Sequence, residues 1–312
     1  MLTLLYPLIR LVVAGLQALP LRTVARLGRW GGGLAYWIDG RHRRVAIKNL
    51  TLCFSSERTP EEIRALAKEN FRRIGECYAC GIKTSTMTLE ELQPHLTLVG
   101  AERFHATTGQ CKAPPASIVV AIGHFGNFEL FSRAGALIPG YRMMTTYRGL
   151  PQPALNRLLQ SMRERSGCRY FERRTEAAEL KAELNQPGFM LGLLVDQRVA
   201  KGGVILPFFG RDCRTSVAPA VFARRYNAAL YSAICYRVGL AKWRVELGEE
   251  ISTTNDGAPR PPEDIMRDVN LALEAAVRRD PANWFWVHDR WRMPKPKTPP
   301  VATATVPTPV QP

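Results

Sequence analysis

The feature that most constrains this chain is a short apolar run that ends at a histidine. Residues 117–122 read Ser-Ile-Val-Val-Ala-Ile, a β-branched segment of strand length, and Gly123 and His124 follow it directly. A small, turn-prone segment, residues 125–128, then leads to Glu129, where a helical pattern begins. Apolar β-branched runs favour buried strands, whereas glycine and asparagine favour turns. The sequence therefore predicts a strand, a tight turn and a helix, with His124 at the end of the strand.

The spacing between His124 and Glu129 sets a geometric condition on this junction. At ~100° per residue, positions five apart on one continuous helix diverge by roughly 140°, so these two side chains would point apart. They can meet only if His124 precedes the first helical turn and its side chain folds back. Gly123, Gly126 and Asn127 permit such a bend, and Gly126 or Asn127 is a reasonable N-cap. The alternative is an ordinary strand–helix junction with a polar cap.

The segments around this junction alternate between strand-like and helical patterns. The predicted strands are residues 96–99, 117–122, 141–147, 168–171, 188–195, 229–238 and 242–248. The predicted helices beyond the junction are residues 130–137, 154–165, 176–185, 216–226 and 262–279. Such alternation predicts an α/β fold in which helices flank a mixed, mostly parallel sheet. We assign this domain to residues 41–293 and expect the proline-rich residues 294–312 to form a disordered tail.

The N-terminal segment, residues 1–40, is predicted to anchor the chain to a membrane. Residues 1–20 contain a single charge, Arg10, and have the length of a membrane span. Arg10, Gln17 and Pro7 fit a monotopic amphipathic anchor equally well. The basic cluster at residues 41–44 places whatever follows on the cytoplasmic side. A buried N-terminal helix is the remaining alternative.

The charge of the chain is strongly positive and its cysteines are scattered. The 43 Lys and Arg residues against 27 Asp and Glu give a net charge of +16. Such a field attracts anionic lipid, nucleic acid or an acidic carrier protein, and no nucleic-acid motif is present. The seven cysteines are an odd number spread along the chain, which favours reduced thiols in a cytoplasmic compartment.

A histidine beside a carboxylate suits acyl transfer to a hydroxyl group. An alcohol is a poor nucleophile near neutral pH, so a base must remove its proton as it attacks. A carboxylate would orient the imidazole and stabilise the imidazolium, and free N–H groups after Gly126 could stabilise the oxyanion. If the strands are parallel, Arg148 and Asp196 follow strand ends at the same edge of the sheet. Arg148 and Arg163 suit a phosphorylated or carboxylated acceptor, although each is equally plausible as a solvated surface residue. Asp196 is as plausible as a strand-end cap as it is in the site.

Several motifs resemble those of one enzyme family, the bacterial lipid A late acyltransferases of the lysophospholipid acyltransferase superfamily. The matching blocks are residues 43–50 (Arg-Arg-Val-Ala-Ile-Lys-Asn-Leu), 53–54 (Cys-Phe), 123–129 (Gly-His-Phe-Gly-Asn-Phe-Glu), 147–148 (Tyr-Arg), 196–197 (Asp-Gln), 207–210 (Pro-Phe-Phe-Gly) and 286–292 (Trp-Val-His-Asp-Arg-Trp-Arg). Many members read Asp-Gln-Asp where this chain has Arg198 in the last position, which argues against a paired-carboxylate or metal site there.

The resemblance implies a glycerolipid acyltransferase-like fold and an inner-membrane enzyme whose site faces the cytoplasm. Such an enzyme would move a fatty acyl chain from acyl carrier protein, or from coenzyme A, to a hydroxyl of a lipid A precursor, without a cofactor or metal. His124 would be the base and Glu129 its partner. Arg148 and Arg163 would hold the acceptor or the developing negative charge, and Asp196 is also assigned to substrate binding. Two alternatives are an acyltransferase for a lysophospholipid or another glycolipid, such as a phosphatidylinositol mannoside, and a non-catalytic basic membrane-binding protein.

Overall fold

The computed structural model describes residues 2–105, 114–199 and 202–293, so the predicted tail at 294–312 lies outside the described residues. The helices are α1 (Leu2–Ala18), α2 (Leu21–Ile38), α3 (Gly40–Phe54), α4 (Pro60–Thr84), α5 (Leu89–Leu92), α6 (Glu102–His105), α7 (Leu130–Gly135), α8 (Pro153–Glu164), α9 (Ala177–Leu184), α10 (Ala218–Arg225) and α11 (Pro262–Arg279). The strands are β1 (Leu96–Val99), β2 (Ile118–Ile122), β3 (Arg142–Tyr147), β4 (Arg169–Glu172), β5 (Phe189–Leu194), β6 (Val204–Phe208), β7 (Arg211–Thr215), β8 (Ala229–Gly239), β9 (Lys242–Glu250), β10 (Thr254–Asn255) and β11 (Ala258–Pro259). Short 3-10 helices cover Gln93–His95 and Pro281–Asn283.

Within the described ranges, seven strands form one sheet in the order β1–β9–β8–β2–β5–β3–β4. The central strand β2 is parallel to both neighbours, β5 and β8, and β3 is parallel to β5 and β4. Only β8 and β9 pair in the antiparallel sense in this sheet, whereas β1 is parallel to β9. The predicted mixed, mostly parallel sheet is therefore confirmed. The carboxyl ends of β2, β5, β3 and β4 lie side by side at one edge, where open α/β sheets bind ligands.

Helices cover both faces of the central strand, all five residues of which are buried. On one face, Val119 and Ala121 belong to a cluster that includes Ile265 and Leu273 of α11. On the other, Val120 and Ile122 belong to a cluster that also contains Ile138, just beyond α7. Because a parallel strand buried on both faces needs apolar residues at every position, the unbroken apolar run of β2 is explained.

The N-terminal helices are built into the domain, because α2 packs closely against α4. A Cβ atom on Gly32 or Gly75 would clash with the backbone of the facing helix, so the glycines allow the two helices to approach. Val24 and Ala25 of α2 are fully buried in the same region. The helix α4 begins at a capping box, in which the Thr59 hydroxyl accepts from the Glu62 amide. Among the described residues, every helix is either too short or too polar to cross a membrane.

Candidate active site

The residue at the centre of the site is His124, which follows β2 and contacts the residue that follows β5. Its backbone N–H donates to Asp196 Oδ2 at 2.7 Å, and its ring Nδ1 lies 2.6 Å from Asp196 Oδ1. The neighbouring strand is held in place by the amide of Val195, which donates to the carbonyl of Ile122 at 3.0 Å. One carboxylate thus fixes both the backbone and the ring of the histidine. A proton on Nδ1 satisfies this hydrogen bond and leaves Nε2 unprotonated.

The Asp196 carboxylate is buried and ionised. Its Oδ2 atom also accepts a hydrogen bond from the indole Nε1 of Trp284 at 2.7 Å. Burial alone would raise the pKa of Asp196, but the neighbouring His124 and the hydrogen bonds from His124 and Trp284 lower it below its ordinary value. An ionised carboxylate in this position stabilises a positive charge on the imidazole.

The turn after His124 depends on a glycine in a left-handed conformation. Gly126 has a φ of +49°, and a Cβ atom there would clash with the carbonyl of Cys235. Its N–H donates to the carbonyl of Asn283 at 3.2 Å, so this amide is not free to stabilise an oxyanion. Glu129, rather than Gly126 or Asn127, occupies the N-cap position of α7 and makes no side-chain capping bond. The predicted bend is present, whereas the predicted N-cap is wrong.

The Glu129 carboxylate forms an ion pair with Arg163 of α8. Arg163 Nη2 donates to Oε1 at 2.6 Å, and Nε donates to Oε2 at 3.2 Å. Burial would lower the pKa of Arg163, but the hydrogen bonds and charge of Glu129 raise it above its ordinary value, so the guanidinium stays charged. The prediction that Glu129 pairs with the His124 ring is therefore corrected, because the Nδ1 partner of His124 is Asp196. The five-residue bend turns the ring toward β5 instead of toward α7.

A cavity of about 910 Å³ brings most of the predicted site residues together. His124, Glu129, Arg148 and Arg163 all line it. Asp196 does not belong to the cavity wall but lies behind the imidazole, so its geometry fits an orienting role rather than the predicted contact with substrate. The structure thus brings four of the five residues to one surface and places the fifth against His124.

The cavity has a polar end and an apolar end. The polar end contains His124 and the charged side chains described above. The apolar end lies between the sheet and α7, and is lined by Leu98, Val120, Ile122, Phe131, Ile138, Met143, Met190, Ala233, Val245 and Leu247. Such a space can take a hydrocarbon chain with its reactive end near the histidine.

The segment after α11 supplies site residues that the sequence analysis missed. Trp284 holds Asp196, and Asn283 fixes the turn by accepting from Gly126 and by donating from Nδ2 to the Cys235 carbonyl at 2.9 Å. Phe285 packs beside the His124 ring with a centroid separation of 5.9 Å, and His288 lines the cavity. The block at residues 286–292 contributes to the family resemblance, but the sequence analysis assigns it no role in the site. Its density of tryptophans next to a histidine was the available signal.

The cysteines at the cavity do not have the properties of nucleophiles. Burial raises the pKa of Cys168 to about 12 and the pKa of Cys77 well above its ordinary value, so both remain thiols. All six cysteines of the described ranges are buried and free of disulfides. No group of three or more His, Cys, Asp and Glu side chains in those ranges is arranged to hold a metal ion.

Comparison with known proteins shows that this chain is similar to one family. The family model described as bacterial lipid A biosynthesis acyltransferase matches residues 3–293. The lipid A biosynthesis palmitoleoyltransferase of Escherichia coli (strain K12) is 24% identical over 280 residues, which cover 88% of this chain and 86% of the relative. The lipid A biosynthesis acyltransferase of Shigella flexneri is similar to the same extent, with 24% identity over 280 residues and the same coverage.

Proposed function

The chain belongs to the bacterial lipid A biosynthesis acyltransferase family, and we propose that it is a membrane-bound O-acyltransferase with His124 as its general base. It transfers a fatty acyl chain from acyl carrier protein, or from coenzyme A, to a hydroxyl of a lipid A precursor. The observation that carries the proposal is the His124–Asp196 pair at the polar end of a cavity with an apolar extension. The net charge of +16 supports anionic substrates and an acidic carrier.

In the proposed reaction, His124 Nε2 removes the proton from the acceptor hydroxyl as its oxygen attacks the thioester carbonyl. The carbon–oxygen bond forms while the carbonyl becomes a tetrahedral oxyanion. Collapse of this intermediate breaks the carbon–sulfur bond, and the imidazolium returns the proton to the leaving thiolate. The products are an ester and a free thiol. Asp196 holds the ring in the reactive tautomer and stabilises its transient charge.

Arg163 is the proposed source of positive charge for the oxyanion. Its side chain lines the same cavity as His124, and its guanidinium is held by two hydrogen bonds to Glu129. Contacts with the rings of Tyr170 and Tyr147, 4.9 and 5.9 Å from the guanidinium carbon, hold the group further. Preorganised charge directed at a developing oxyanion is an effective way to stabilise acyl-transfer transition states. In this scheme Glu129 positions Arg163 rather than His124.

The apolar end of the cavity is the proposed site of the acyl chain. Its walls come from the buried face of the sheet and from Phe131 and Ile138 on the α7 side. Burying a hydrocarbon chain there is favourable by ~0.8 kcal/mol for each methylene group. A chain bound there would have its thioester near His124 and would be shielded from water.

Membrane attachment is proposed through the surface of α1 and α2. Exposed apolar side chains of α2 recur at helical spacing on one face, at Leu27, Trp30, Leu34, Trp37 and Ile38. Exposed Arg22 and Arg26 flank this face. An apolar stripe bordered by arginines and containing tryptophans is typical of a helix that lies in the bilayer interface. We place the protein at the bacterial inner membrane, with its site facing the cytoplasm.

The catalytic proposal is tested with purified protein in detergent, acyl carrier protein that bears a labelled acyl chain, and a tetra-acylated lipid A precursor. The wild-type protein should produce a labelled penta-acylated product. His124→Ala should lower kcat by about 10²–10⁴-fold with folding intact, because the general base is lost. Circular dichroism and thermal unfolding check the fold. Full activity in His124→Ala would refute the mechanism, and transfer to no glycolipid acceptor would refute the function.

The membrane proposal is tested by substitution, because removal of residues 1–40 would also expose the buried surface that α2 covers. The variant Trp30→Ser/Trp37→Ser removes exposed side chains only. Sedimentation with vesicles that contain anionic lipid should fall markedly. The matched control is Leu271→Ser, which changes an exposed apolar side chain on α11, outside the cavity lining. Equal sedimentation of both variants and wild type would refute attachment through α2.

A further inference from the structure

Two arginines lie side by side where β3 and β4 end. The last residue pair of these strands is Tyr147 with Glu172, and the Arg173 amide donates to the Tyr147 carbonyl at 3.1 Å. The next residue of each strand is an arginine, Arg148 and Arg173. Both side chains are exposed and both line the cavity. Adjacent like charges are unfavourable unless an anion lies between them.

A third arginine extends this row toward His124. Arg198 follows β5, the strand between β2 and β3, and also lines the cavity. Across residues 2–105, 114–199 and 202–293, no carboxylate forms an ion pair with Arg148, Arg173 or Arg198. The carboxylate of Glu129, which also lines the cavity, is paired with Arg163. The row therefore contains cations available to a substrate.

The acidic residue that precedes Arg173, Glu172, accepts hydrogen bonds from backbone amides of the adjoining loops. Glu172 Oε1 accepts from the Gly149 amide at 3.2 Å, and Oε2 accepts from the amides of Arg174 and Thr175 at 2.6 and 3.0 Å. These bonds join the chain segments after β3 and β4 and fix the backbone on either side of Arg173. Glu172 thus holds in place the loop that presents the arginines, with both oxygens already engaged.

We propose that Arg148, Arg173 and Arg198 form a subsite for a phosphate group of the substrate. Guanidinium groups pair bidentately with phosphate oxygens, and three of them at one rim exceed what a carboxylate would require. The inference rests on the proposed function, because the site of acyl transfer defines the cavity. With strands ~4.8 Å apart, the ends of β3 and β4 are roughly 10 and 14 Å from the end of β2. The phosphate is therefore bound about that far from the reacting hydroxyl and sets its orientation.

Two substrates could supply this phosphate, namely the acceptor lipid and the phosphopantetheine arm of the donor. The test compares wild type, Arg148→Gln/Arg173→Gln and the control Arg174→Gln, which changes an exposed arginine adjacent to Arg173 that does not line the cavity. Each is assayed with a phosphorylated lipid A precursor and the same lipid after phosphatase treatment. Each protein is also assayed with two acyl donors, namely acylated acyl carrier protein and an acyl N-acetylcysteamine thioester, which lacks phosphate.

If the acceptor supplies the phosphate, the double substitution should raise the KM for the phosphorylated lipid by about 10–100-fold and leave the dephosphorylated lipid unaffected. If the donor supplies it, the KM for acyl carrier protein should rise and that for the small thioester should not. Arg174→Gln should resemble wild type in every arm. An equal rise for phosphorylated and phosphate-free substrates, or the same effect from Arg174→Gln, would overturn the subsite.

Equilibrium binding separates this proposal from the proposed function. His124→Ala protein is titrated with the phosphorylated and the dephosphorylated lipid, with and without the double arginine substitution. Preference for the phosphorylated lipid that disappears with the two arginines supports the subsite even if no acyl transfer is found in the wild type. Two results together would contradict the phosphate subsite even if acyl transfer occurs. Protein with intact arginines would bind the two lipids equally, and the double arginine substitution would leave the KM values for both acyl donors unchanged.

Discussion

Two hydrogen-bonded pairs that each contain a carboxylate border the same cavity, and they differ in their surroundings. His124 and Asp196 come from neighbouring strands, with side chains only 15% and 1% exposed, and Trp284 completes the contacts of the carboxylate. Glu129 and Arg163 come from the beginning of α7 and from α8, and the Glu129 side chain is 29% exposed. The first pair is fixed by the sheet, whereas the second joins two helices over the cavity.

This difference indicates separate tasks for the two carboxylates. A buried carboxylate that accepts hydrogen bonds from His124 and Trp284 holds the imidazole in one tautomer, as proton transfer requires. A partly exposed carboxylate at the start of a helix can hold a guanidinium at the cavity, where the positive charge faces the reacting carbonyl. The nearest acid in the sequence thus serves the cation, and a distant acid serves the base.

The largest expected effect follows from Asp196→Asn. The amide keeps the shape of the carboxylate but removes the charge that stabilises the imidazolium, and it can present a donor to Nδ1. We expect kcat to fall by about 10²–10⁴-fold with little change in KM. Steady-state kinetics on folded protein measures this effect. A variant with more than half of the wild-type kcat would remove the distinction between the two pairs.

A smaller effect is expected from Glu129→Gln, with Arg163→Gln as its companion. Loss of the carboxylate releases Arg163 from its fixed position, so kcat should fall by about 10–10²-fold. Because the two residues form a pair, the double variant should be little worse than Arg163→Gln alone. A double variant whose losses multiply would show that Glu129 acts on something other than Arg163.

Trp284→Phe should have a more modest effect on the first pair. It removes one of the hydrogen bonds to Asp196 and keeps an aromatic ring in the packed segment. Loss of a bond to a charged acceptor predicts a fall in kcat of about tenfold. Trp286→Phe is the matched control, since its indole donates to the Pro281 carbonyl instead. Equal losses in both variants would indicate general damage to the segment rather than a specific effect on Asp196.

The smallest expected effect concerns the pH dependence of stability through His288. Burial lowers the pKa of His288 below its ordinary value of 6.5, and Asp196 only partly opposes this. Below pH 6.5 the unfolded chain therefore binds a proton that the folded chain does not, so the free energy of unfolding falls as pH decreases toward the folded pKa. Denaturant unfolding at pH 7.5 and pH 5.5 should show a smaller decrease in His288→Gln than in wild type. An equal decrease in wild type and in His288→Gln would show that groups other than His288 cause the pH dependence of stability.

Much of the fold was predictable because its signals are local. The apolar run of β2 predicts a strand buried on both faces, and Pro262–Arg279 has the bounds that its helical periodicity predicts. The Thr-x-x-Glu runs that begin at Thr59 and Thr88 form capping boxes at the starts of α4 and α5. Local patterns also placed His124 and Arg148 at strand ends, and both line the cavity.

The pairing of the site could not be predicted, because it depends on strand order. Asp196 is 72 residues from His124 and reaches it only because β5 lies next to β2. Five-residue spacing made Glu129 the obvious partner, but spacing does not show which way a bent turn directs the ring. Trp284 likewise enters the site through a bridge between Phe125 and Trp284, a tertiary contact without a local signature.

The most direct test of the account is the state of the His124 Nδ1 proton. In protein labelled with ¹⁵N-histidine, a long-range proton–nitrogen NMR spectrum distinguishes a protonated Nδ1 from a free one. His124 should show a strongly hydrogen-bonded Nδ1–H in wild type and in Glu129→Gln, and this signal should be lost or shifted far upfield in Asp196→Asn. Loss of the signal in Glu129→Gln with its retention in Asp196→Asn would contradict the account and restore Glu129 as the partner of the histidine.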